Sequence, residues 1–398
     1  MLKKTHKLYD QDSHLYTFTA RVESCEKTDH GFALVLDRTA FFPEGGGQES
    51  DTGTLNGIRV RDVRIRDGII FHDIDQSIPE GTEVIGIIEE SVRFARMQMH
   101  SAEHILSGLA FKFFGCDNVG FHLTDKWCTI DWNRVLTREQ LDQLETEANR
   151  IVAANLDVTA RYPSPEELEK IAYRSKIELT EDVRLVCIPD VDVCACCAPH
   201  VNKTGEIGII KILDFQHYKG GVRVFMVAGS AALEDYRLRY ENAYAVSGLL
   251  SAPQDKITQA VQLHLQSEAE LKMENNVLRK KIAELLTNDL LNRENAGPVL
   301  CLVLPFCEMN TLRSSVNELT QKTGKPVCGL CQNPDGSYAF IIGHPKGGLK
   351  ALLPDIMKQL KGKGGGSDVM VQGTIASTPD VCEKVINQAF SQFLKETE

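Results

Sequence analysis

Two histidines in one predicted helix are the first residues of this sequence whose types and spacing suggest chemistry. His100 and His104 stand four positions apart in the segment His-Ser-Ala-Glu-His. Side chains at positions i and i+4 lie one above the other on a helix face, so both imidazoles could reach one metal ion. The pair alone is weak, because two histidines at this spacing also occur by chance in cores and on surfaces. A metal site therefore requires further ligands elsewhere in the chain.

A cysteine and a histidine with the same spacing follow about 90 residues later. Cys196 and His200 belong to the segment Cys-Ala-Cys-Cys-Ala-Pro-His, and a thiolate together with imidazoles is a donor set that zinc prefers. Cys194 and Cys197 are alternative sulfur ligands. A closed zinc site that only stabilises the fold is the alternative to a catalytic site. The sequence predicts one Zn²⁺ per chain, bound by His100, His104, Cys196 and His200.

Glu103, which lies between the two histidines, allows a second interpretation. His-x-x-Glu-His is the inverted metalloprotease motif, in which the glutamate acts as general base. Those proteases take a carboxylate as third metal ligand, whereas the partners available here are Cys196 and His200. We therefore rank a metallopeptidase behind other metal-dependent hydrolases. We expect Glu103 either to assist catalysis beside the metal or to lie in solvent.

A run of glycines precedes both clusters, in the segment Thr39-Ala-Phe-Phe-Pro-Glu-Gly-Gly-Gly-Gln48. Three successive glycines expose backbone N–H groups and allow another backbone or a ligand to approach closely. A tight loop between two strands is the simpler explanation. The flanking Phe-Phe-Pro and Gln make the segment unusual, so Gly45, Gly46, Gly47 and Gln48 are candidates for contact with a ligand.

The three segments together resemble, in order and spacing, the editing domain of alanyl-tRNA synthetase and its freestanding AlaX-type relatives. The resemblance continues directly after the Cys-x-x-x-His segment, with Val-Asn-Lys-Thr-Gly-Glu-Ile-Gly from Val201 to Gly208. Near the end of the chain, Gly-Gly-Gly-Ser-Asp from Gly364 resembles the glycine-rich signature of the DHH-associated domain of the same synthetase. The resemblance covers nearly the whole chain and matches the long freestanding form.

This resemblance implies zinc-dependent hydrolysis of tRNA(Ala) that carries the wrong amino acid, chiefly serine, with glycine as the second candidate. Editing of this kind consumes no ATP and protects the fidelity of translation. The resemblance assigns Thr39 to the serine hydroxyl, although the sequence alone favours a β-strand threonine that bonds its neighbour. Gln48 and the three glycines are expected beside the bound 3′ end, and Glu103 stays a candidate catalytic helper. A non-catalytic RNA-binding protein with structural zinc is the alternative from another class, beside the metallopeptidase.

The charge of the chain limits how it could bind RNA. The formal net charge is −11, from 44 basic and 55 acidic residues, which argues against nucleic-acid binding by bulk charge. Lysines cluster directly before the C-terminal glycines, a pattern typical of a phosphate-binding patch and also of a solvated helix face. The candidate tRNA-binding residues are Lys361, Lys363, Gly364, Gly365 and Gly366.

Twelve cysteines are a high count for 398 residues. The first residues are charged and no apolar run follows them, so we expect no secretory signal. No apolar stretch approaches the ~18 residues that a helix needs to cross a bilayer, so we expect no membrane span. We therefore expect a cytoplasmic protein with reduced thiols and no membrane partner. Cys328 and Cys331 form a Cys-x-x-Cys pair to which the sequence assigns no role.

Periodicity indicates the elements that must position these residues. Alternating strands with Asn-Gly and Asp-Gly turns suggest a small β-barrel before residue 90, and helical spacing begins at Ser91. We predict an α+β, multidomain chain. Its parts are a β-barrel domain with the glycine loop (1–90), a zinc-binding editing domain (91–245), a long helical arm (246–296) and a DHH-associated α/β domain (297–398).

The predicted arm carries apolar residues at heptad spacing. Leu271, Leu278 and Leu285 lie seven residues apart, and Ile282 beside them extends the stripe. The repeat permits a short coiled-coil seam with a second copy of the chain, whereas an arm packed on its own domain is the simpler explanation. One expectation is therefore a homodimer, through this arm or through the C-terminal domain. The other is an arm that packs on its own domain.

Overall fold

The computed structural model describes residues 2–124, 126–175, 183–293 and 297–397. The chain divides into two compact units, Met1–Ala245 and Val246–Glu398. Both units mix helices with strands, so the predicted α+β, multidomain class is confirmed. The finer division into four parts stays a prediction, and the end of its helical arm, residues 294–296, lies outside the described residues.

The first unit contains most of the strands. They are β1 (His6–Lys7), β2 (Thr17–Thr28), β3 (Gly31–Leu36), β4 (Arg38–Thr39), β5 (Gly53–Leu55), β6 (Ile58–Arg66), β7 (Ile69–Ile74), β8 (Glu83–Ile88), β9 (Asn118–Leu123), β10 (Cys128–Trp132), β11 (Thr159–Arg161), β12 (Leu185–Ile188), β13 (Asp192–Ala195), β14 (Ile210–Tyr218) and β15 (Gly221–Ala228). The helices are α1 (Glu90–Phe114), α2 (Arg138–Ala154), α3 (Pro165–Leu168) and α4 (Gly229–Leu250), with 3-10 turns at Leu8–Asp10 and Thr204–Ile207.

Six strands of the first 90 residues close into a barrel, in the order β2, β3, β7, β6, β5 and β8. Buried and exposed residues alternate along β2, as expected for a strand with one face toward a core. The interior is filled by aliphatic side chains such as Leu34, Val60 and Ile70 and by the aromatic ring of Phe41. The short strand β1 pairs in parallel with β4 and so places Lys7 opposite Thr39.

Helix α1 is the central element of the rest of the first unit. Every side chain from Arg96 to Ala110 is buried, which is typical of a helix surrounded by other elements rather than of a surface helix. It packs with α2 against the antiparallel sheet β14-β15-β10-β9, while β11-β12-β13 forms a separate small sheet. Gly115 ends α1 in the left-handed conformation, with φ of 63°.

The second unit contains one sheet and the longest helix. Its strands are β16 (Leu300–Leu304), β17 (Val327–Gln332), β18 (Tyr338–Gly343), β19 (Lys363–Gly366) and β20 (Met370–Ile375). Its helices are α5 (Ile257–Asn292), α6 (Met309–Thr323), α7 (Leu349–Leu360) and α8 (Pro379–Thr397), after a 3-10 turn at Gln254–Lys256. The sheet order is β16-β17-β18-β20-β19, so β19 forms an edge of the sheet.

Strand β17 explains the Cys-x-x-Cys pair. Side chains alternate between the two faces of a strand, so residues three apart point to opposite sides. Cys328 packs in one core cluster with Cys382, whereas Cys331 packs in another cluster and accepts a hydrogen bond from the Cys307 backbone N–H at 3.0 Å. The two thiols therefore face different surroundings and do not form one ligand pair.

The apolar heptad residues of α5 lie on the surface of the second unit. Leu271, Leu278 and Leu285 are exposed, and Ala283 and Thr287 are the buried residues of this helix. A homodimer through this stripe stays a prediction. Within the described ranges, no helix combines the length and the apolar character that crossing a membrane requires.

Candidate metal site and adjoining cavity

His100 and His104 lie in the middle of α1, and both side chains are buried. Their ring centroids are 5.4 Å apart, as expected for neighbours one turn apart on a helix face. Gly108, one turn further on, lets the β12–β13 hairpin approach closely, because a Cβ there would lie 2.4 Å from the Val191 carbonyl oxygen. The hairpin thereby reaches the histidine face of the helix.

The Cys-x-x-x-His segment follows β13 and completes the cluster. The Cys196 Sγ lies 3.3 Å from the His200 Nε2 and 3.6 Å from the His100 Nε2. The His200 ring centroid is 4.8 Å from that of His100 and 4.6 Å from that of His104. One donor atom from each of the four residues lies within 4.8 Å of all the others. The structure thus brings together the four predicted metal ligands.

Each imidazole is held from its far side by a hydrogen bond. The His100 Nδ1 lies 2.8 Å from the Gln48 Oε1, and the His104 Nδ1 lies 2.9 Å from the Asp192 Oδ2. Because these oxygens only accept, both Nδ1 atoms carry a proton, and in each ring Nε2 is the nitrogen that faces the cluster.

His200 is oriented in the same way by a hydroxyl group. Its Nδ1 lies 3.0 Å from the Ser101 Oγ, which also accepts a hydrogen bond from the Val201 backbone N–H at 3.3 Å. Three imidazoles fixed at Nδ1 with converging Nε2 atoms, together with one thiol, form an arrangement that could hold a metal ion.

Asp192 connects this cluster to a partly buried cation. The Arg174 guanidinium donates two hydrogen bonds to its carboxylate, at 2.7 and 2.8 Å. Burial alone would raise the pKa of Asp192, but the bonds from His104 and Arg174 outweigh it and lower the pKa. Asp192 therefore remains a carboxylate that can fix the His104 tautomer.

The electrostatics of the cluster favour the ligand forms of His200 and Cys196 but the protonated form of His104. Burial lowers the pKa of His200 to about 3, so this imidazole is neutral at pH 7. Burial opposes ionisation of Cys196, yet the neighbouring His100 and His200 lower its pKa well below the usual value. Burial by itself would lower the pKa of His104. Its hydrogen bonds to Asp192 and Cys196 together have the larger effect, so the pKa of His104 is raised well above its usual value. A metal ion would displace a proton from that Nε2 atom.

The alternative sulfur ligands occupy other positions. Cys194 groups with His104 and Asp192 rather than with the four converging donors. Cys197 is exposed, and its Sγ lies beside the glycine loop, 3.7 Å from where a Cβ on Gly46 would be.

The glycine loop is anchored on α1, which brings Gln48 to His100. The buried Arg93 donates to the Asp51 carboxylate at 2.9 and 3.0 Å through its Nε, and Arg96 donates to the Ser50 carbonyl oxygen at 2.5 Å. Gly47 has φ of 85° and lies so close to β9 that a Cβ would be 2.5 Å from the Phe121 carbonyl oxygen. No side chain other than hydrogen fits this position.

The Gln48 side chain contacts one of the candidate metal ligands directly. Its side chain is 1% exposed, and its Oε1 is committed to His100. Its Nε2 has no hydrogen-bond partner among the residues that the structure describes. The amide therefore presents a free donor next to the metal ligands.

Arg184 fixes the loop that carries Cys196 and His200. Its guanidinium donates to the carbonyl oxygens of Cys196 and Ala198, at 3.0 and 2.9 Å. Its Nε lies 3.3 Å from the Asp10 carboxylate, which joins this loop to the barrel part of the unit.

A cavity of about 480 Å³ opens onto the cluster. It is lined by Lys7, Gly46, Gly47, His100, Glu103, His104, Phe121, Tyr162, Arg174, Ser175, Arg184, Cys194, Ala195, Cys196 and Cys197. The cluster is therefore accessible to a ligand on one side, unlike a site closed within a core.

Glu103 faces this cavity and is not solvated on the helix surface, so the expectation that it lies in solvent is wrong. Its side chain is 2% exposed. Ser107 Oγ donates to its Oε1 at 2.6 Å, and Asn118 Nδ2 donates to the same oxygen. Helix α1 is covered on this side by β9 and β10, which buries a residue that an isolated helix would expose.

Thr39 lies inside the barrel and is not among the residues that line the cavity. The buried His72 donates through Nδ1 to the Leu34 carbonyl oxygen at 3.1 Å, so its Nε2 accepts from the Thr39 hydroxyl at 2.9 Å. The same hydroxyl accepts from the Phe41 N–H at 3.1 Å. The hydroxyl is thus fully used within the barrel, and the assignment of Thr39 to a serine substrate stays a prediction.

The predicted tRNA-binding residues lie in the second unit. Lys363, Gly364, Gly365 and Gly366 form the exposed edge strand β19, and the exposed Lys361 precedes it. Their side chains and backbone are accessible, and their role in binding stays a prediction.

Apart from Gln48, the residues that orient the candidate ligands were not predicted from the sequence. Ser101, Asp192, Arg174 and Arg184 had no motif of their own, and their roles depend on contacts between distant segments. A carboxylate at Asp192, four residues before Cys196, was the available signal, because histidine ligands commonly donate to a carboxylate.

Comparisons with known proteins support the motif-based resemblance. Residues 183–224 match the threonyl and alanyl tRNA synthetase second additional domain, and residues 3–92 match tRNA synthetases class II (A). The chain is 28% identical over 387 residues to the alanyl-tRNA editing protein AlaX-L of Pyrococcus horikoshii, covering 94% of this chain and 95% of that protein.

Two further relatives belong to synthetases. The chain is 30% identical over 405 residues to the alanine–tRNA ligase of Pyrococcus abyssi, which matches 96% of this chain but only 43% of the ligase. The C-Ala domain of Aquifex aeolicus alanyl-tRNA synthetase is 28% identical, with a TM-score of 0.22, and covers 25% of this chain and 96% of that domain. The chain spans less than half of the ligase, whereas it spans nearly all of the freestanding editing protein. The predicted resemblance is confirmed: along nearly its whole length, this chain is similar to freestanding alanyl-tRNA editing proteins of the long AlaX type and to alanyl-tRNA synthetases.

Proposed function

We propose that this chain is an editing hydrolase that acts in trans and deacylates mischarged tRNA(Ala). Its main cargo is serine, and glycine is the second candidate. The observation that carries the proposal is the convergence of three imidazole Nε2 atoms and one thiol beside a cavity of about 480 Å³. The similarity to an alanyl-tRNA editing protein over 94% of the chain supports the same function.

Zinc is the metal that this donor set fits best. Three imidazoles and one thiolate are borderline-soft donors, and the atoms of His100, His104, Cys196 and His200 lie close enough to share one ion. When bound, Zn²⁺ supplies Lewis-acid chemistry, either by activating a water or by orienting the aminoacyl ester.

The chain's own residues supply the other parts of the site. Glu103 lines the cavity beside the histidines and is the candidate acceptor for a proton during hydrolysis. Gly46 and Gly47 also line the cavity, and Gln48, directly after them, holds the His100 ring through its Oε1. These roles explain why the loop is anchored so firmly on α1.

A second site for serine has a clear physical reason. A synthetase pocket shaped for alanine cannot strongly reject serine or glycine, because one hydroxyl or one methyl changes binding by only ~1–3 kcal/mol. Errors must then be hydrolysed elsewhere, at a site that prefers the larger and more polar side chain. The partner is therefore tRNA(Ala), and we propose that β19 and Lys361 contact its backbone phosphates.

The two alternative functions make different predictions about the same site. A metallopeptidase would use Glu103 as base on peptide bonds, and a non-catalytic RNA-binding protein would use the metal only to hold its fold. The open cavity beside the ligands favours a catalytic site over a structural one.

The proposal is tested by incubating the protein with Ser-tRNA(Ala), Gly-tRNA(Ala) and Ala-tRNA(Ala), before and after chelation of the metal. We expect rapid loss of serine, slower loss of glycine and retention of alanine. Chelation should abolish hydrolysis, and added Zn²⁺ should restore it. A panel of unmodified peptides is the control for the peptidase.

Two results would contradict the proposal. Cleavage of peptides with intact aminoacyl esters would establish the peptidase. Stable esters with zinc-loaded protein that still binds tRNA would leave an RNA-binding protein with structural zinc.

A further inference from the structure

One group of cavity-lining residues contributes no candidate metal ligand. It is formed by Lys7 from the barrel part of the unit, Tyr162 after β11, and Arg184 before β12. Cys197 and Gly46 line the same cavity. The group carries one aromatic ring and two cations, which is a composition suited to a nucleotide.

The cations of the cavity differ in how they are neutralised. Arg174 is paired with Asp192 at 2.7 Å, and Arg184 is paired with Asp10 at 3.3 Å. The Lys7 ammonium group makes no hydrogen bond or ion pair with any residue in the described part of the chain, although the backbone of this residue belongs to the pairing of β1 with β4. Its side chain is half-buried at the cavity, so its ammonium group is a positive charge held where an anion could enter.

Tyr162 presents a fixed aromatic face. Its side chain is 49% exposed although it lines the cavity. Its hydroxyl donates to the Asp10 Oδ2 at 2.8 Å, and Asp10 is in turn paired with Arg184. These bonds fix the ring position before a ligand arrives, so little rotational freedom is lost on stacking.

We propose that Lys7 and Tyr162 form a subsite for the terminal nucleotide of the substrate RNA. In this subsite the tyrosine ring stacks on the base, and the lysine ammonium contacts the phosphate on its 5′ side. The subsite orients the ester relative to the metal ligands, and in this respect it rests on the proposed function. Nucleotide binding itself can be measured without hydrolysis.

The first test measures binding of a fluorescein-labelled CCA trinucleotide by anisotropy at several salt concentrations. Lys7→Gln should weaken binding about tenfold and make the slope of log K against log salt shallower by about 0.7, as for one lost phosphate contact on a single strand. Tyr162→Leu should weaken binding about tenfold without changing the slope, because stacking is not ionic.

Matched variants separate these effects from damage to the fold. Lys3→Gln removes an exposed lysine four residues earlier and should leave both affinity and slope unchanged. Tyr162→Phe keeps the ring and should retain most of the affinity, although it loses the bond to Asp10.

The second test compares hydrolysis of Ser-tRNA(Ala) with hydrolysis of seryl-adenosine, which has no phosphate. Lys7→Gln should raise KM about tenfold for the tRNA ester with kcat unchanged, and should leave the kinetics of seryl-adenosine unchanged. Tyr162→Leu should impair both substrates, because both contain the base.

The outcomes distinguish the subsite from the proposed function. Equal trinucleotide affinity and equal salt slope for wild type and Lys7→Gln would overturn the lysine assignment. Unchanged affinity in Tyr162→Leu would overturn the stacking assignment. Binding that responds to these variants in a protein that hydrolyses neither ester would uphold the subsite and reject the deacylase.

Discussion

The barrel and the metal cluster each bury histidines, but they use the ring nitrogens differently. In the barrel, His72 donates through Nδ1 to Leu34 and accepts at Nε2 from Thr39, so both nitrogens are satisfied by fixed partners. In the cluster, His100, His104 and His200 are held only at Nδ1 by oxygen atoms. Their Nε2 atoms converge on a thiol beside an open cavity.

The difference shows what distinguishes a metal site from a satisfied core. Burial and the presence of histidine are common to both regions. Only the cluster combines Nε2 atoms that converge on one thiol with outer hydrogen bonds that hold each ring at Nδ1. The C-terminal thiols lack this feature as well, because Cys328 and Cys331 face opposite sides of their strand.

The largest expected effect is on the thiol ligand. Cys196→Ala should lower both metal affinity and kcat/KM by more than about 100-fold, since loss of a ligand should exceed the effect of losing an outer partner. Metal content after dialysis against a chelator and deacylation of Ser-tRNA(Ala) measure the two quantities.

Cys194→Ala is the matched control and should retain metal and activity. Retention of metal by Cys196→Ala with loss from Cys194→Ala would assign the sulfur ligand to the neighbouring position.

The second effect concerns pH and the barrel histidine. Burial lowers the pKa of His72 from 6.5 to about 4. The unfolded chain binds a proton at this residue below pH 6.5, whereas the folded chain does not until pH about 4. Stability contributed by the neutral ring is therefore complete above pH 6.5 and is lost as the pH falls, by about 3 kcal/mol in total.

His72→Gln can retain polar contacts without titrating in this range. Chemical unfolding of both proteins between pH 7 and pH 4 should show a smaller loss of unfolding free energy in the variant, by about 3 kcal/mol. His30→Gln, at an exposed position, is the control. Identical pH profiles for wild type and His72→Gln would refute the neutral buried ring.

The third effect is on an outer partner of the metal ligands. Asp192→Asn should weaken zinc binding about 10–100-fold, because His104 then lacks a charged partner at Nδ1. Competition with a chromophoric chelator measures this affinity. Asp190→Asn, in the adjacent exposed turn, should leave it unchanged. A normal affinity in Asp192→Asn would mean that the carboxylate serves Arg174 alone.

The smallest effect decides the role of Thr39. Thr39→Val leaves Phe41 N–H without an acceptor and His72 Nε2 without a donor, so the unfolding free energy should fall by about 1–2 kcal/mol. The ratio of Ser-tRNA(Ala) to Ala-tRNA(Ala) hydrolysis is the second readout. A lower ratio would support the role in reading serine, and an unchanged ratio would refute it.

Local spacing predicted which candidate ligands come together but not what orients them. His100 with His104, and Cys196 with His200, are visible because each pair lies on one short segment. Ser101 contacts His200 only after segments 99 residues apart have met. Burial of Glu103 likewise depends on strands that cover α1, and no helical pattern reveals them.

The elements show the same limit. The helical spacing from Ser91 predicted the start of α1, which begins at Glu90, whereas α4 has only Gly229 and Ala232 buried and gives no comparable stripe. Cys328 and Cys331 look like a ligand pair until the segment between them is known to be a strand.

The site draws on residues from position 48 to position 200, and this spread has a consequence for how the protein is made. During synthesis the barrel residues emerge first, and the histidines of α1 follow without their cysteine. The four candidate ligands come together only after the segment up to His200 has left the ribosome and the distant segments have docked. This docking is slow because the segments are far apart in the sequence. Metal binding at the proposed site would therefore be a late event that follows folding of the first unit, and with the proposed zinc withheld the barrel should form while the loop of Cys196 and His200 remains open to proteolysis.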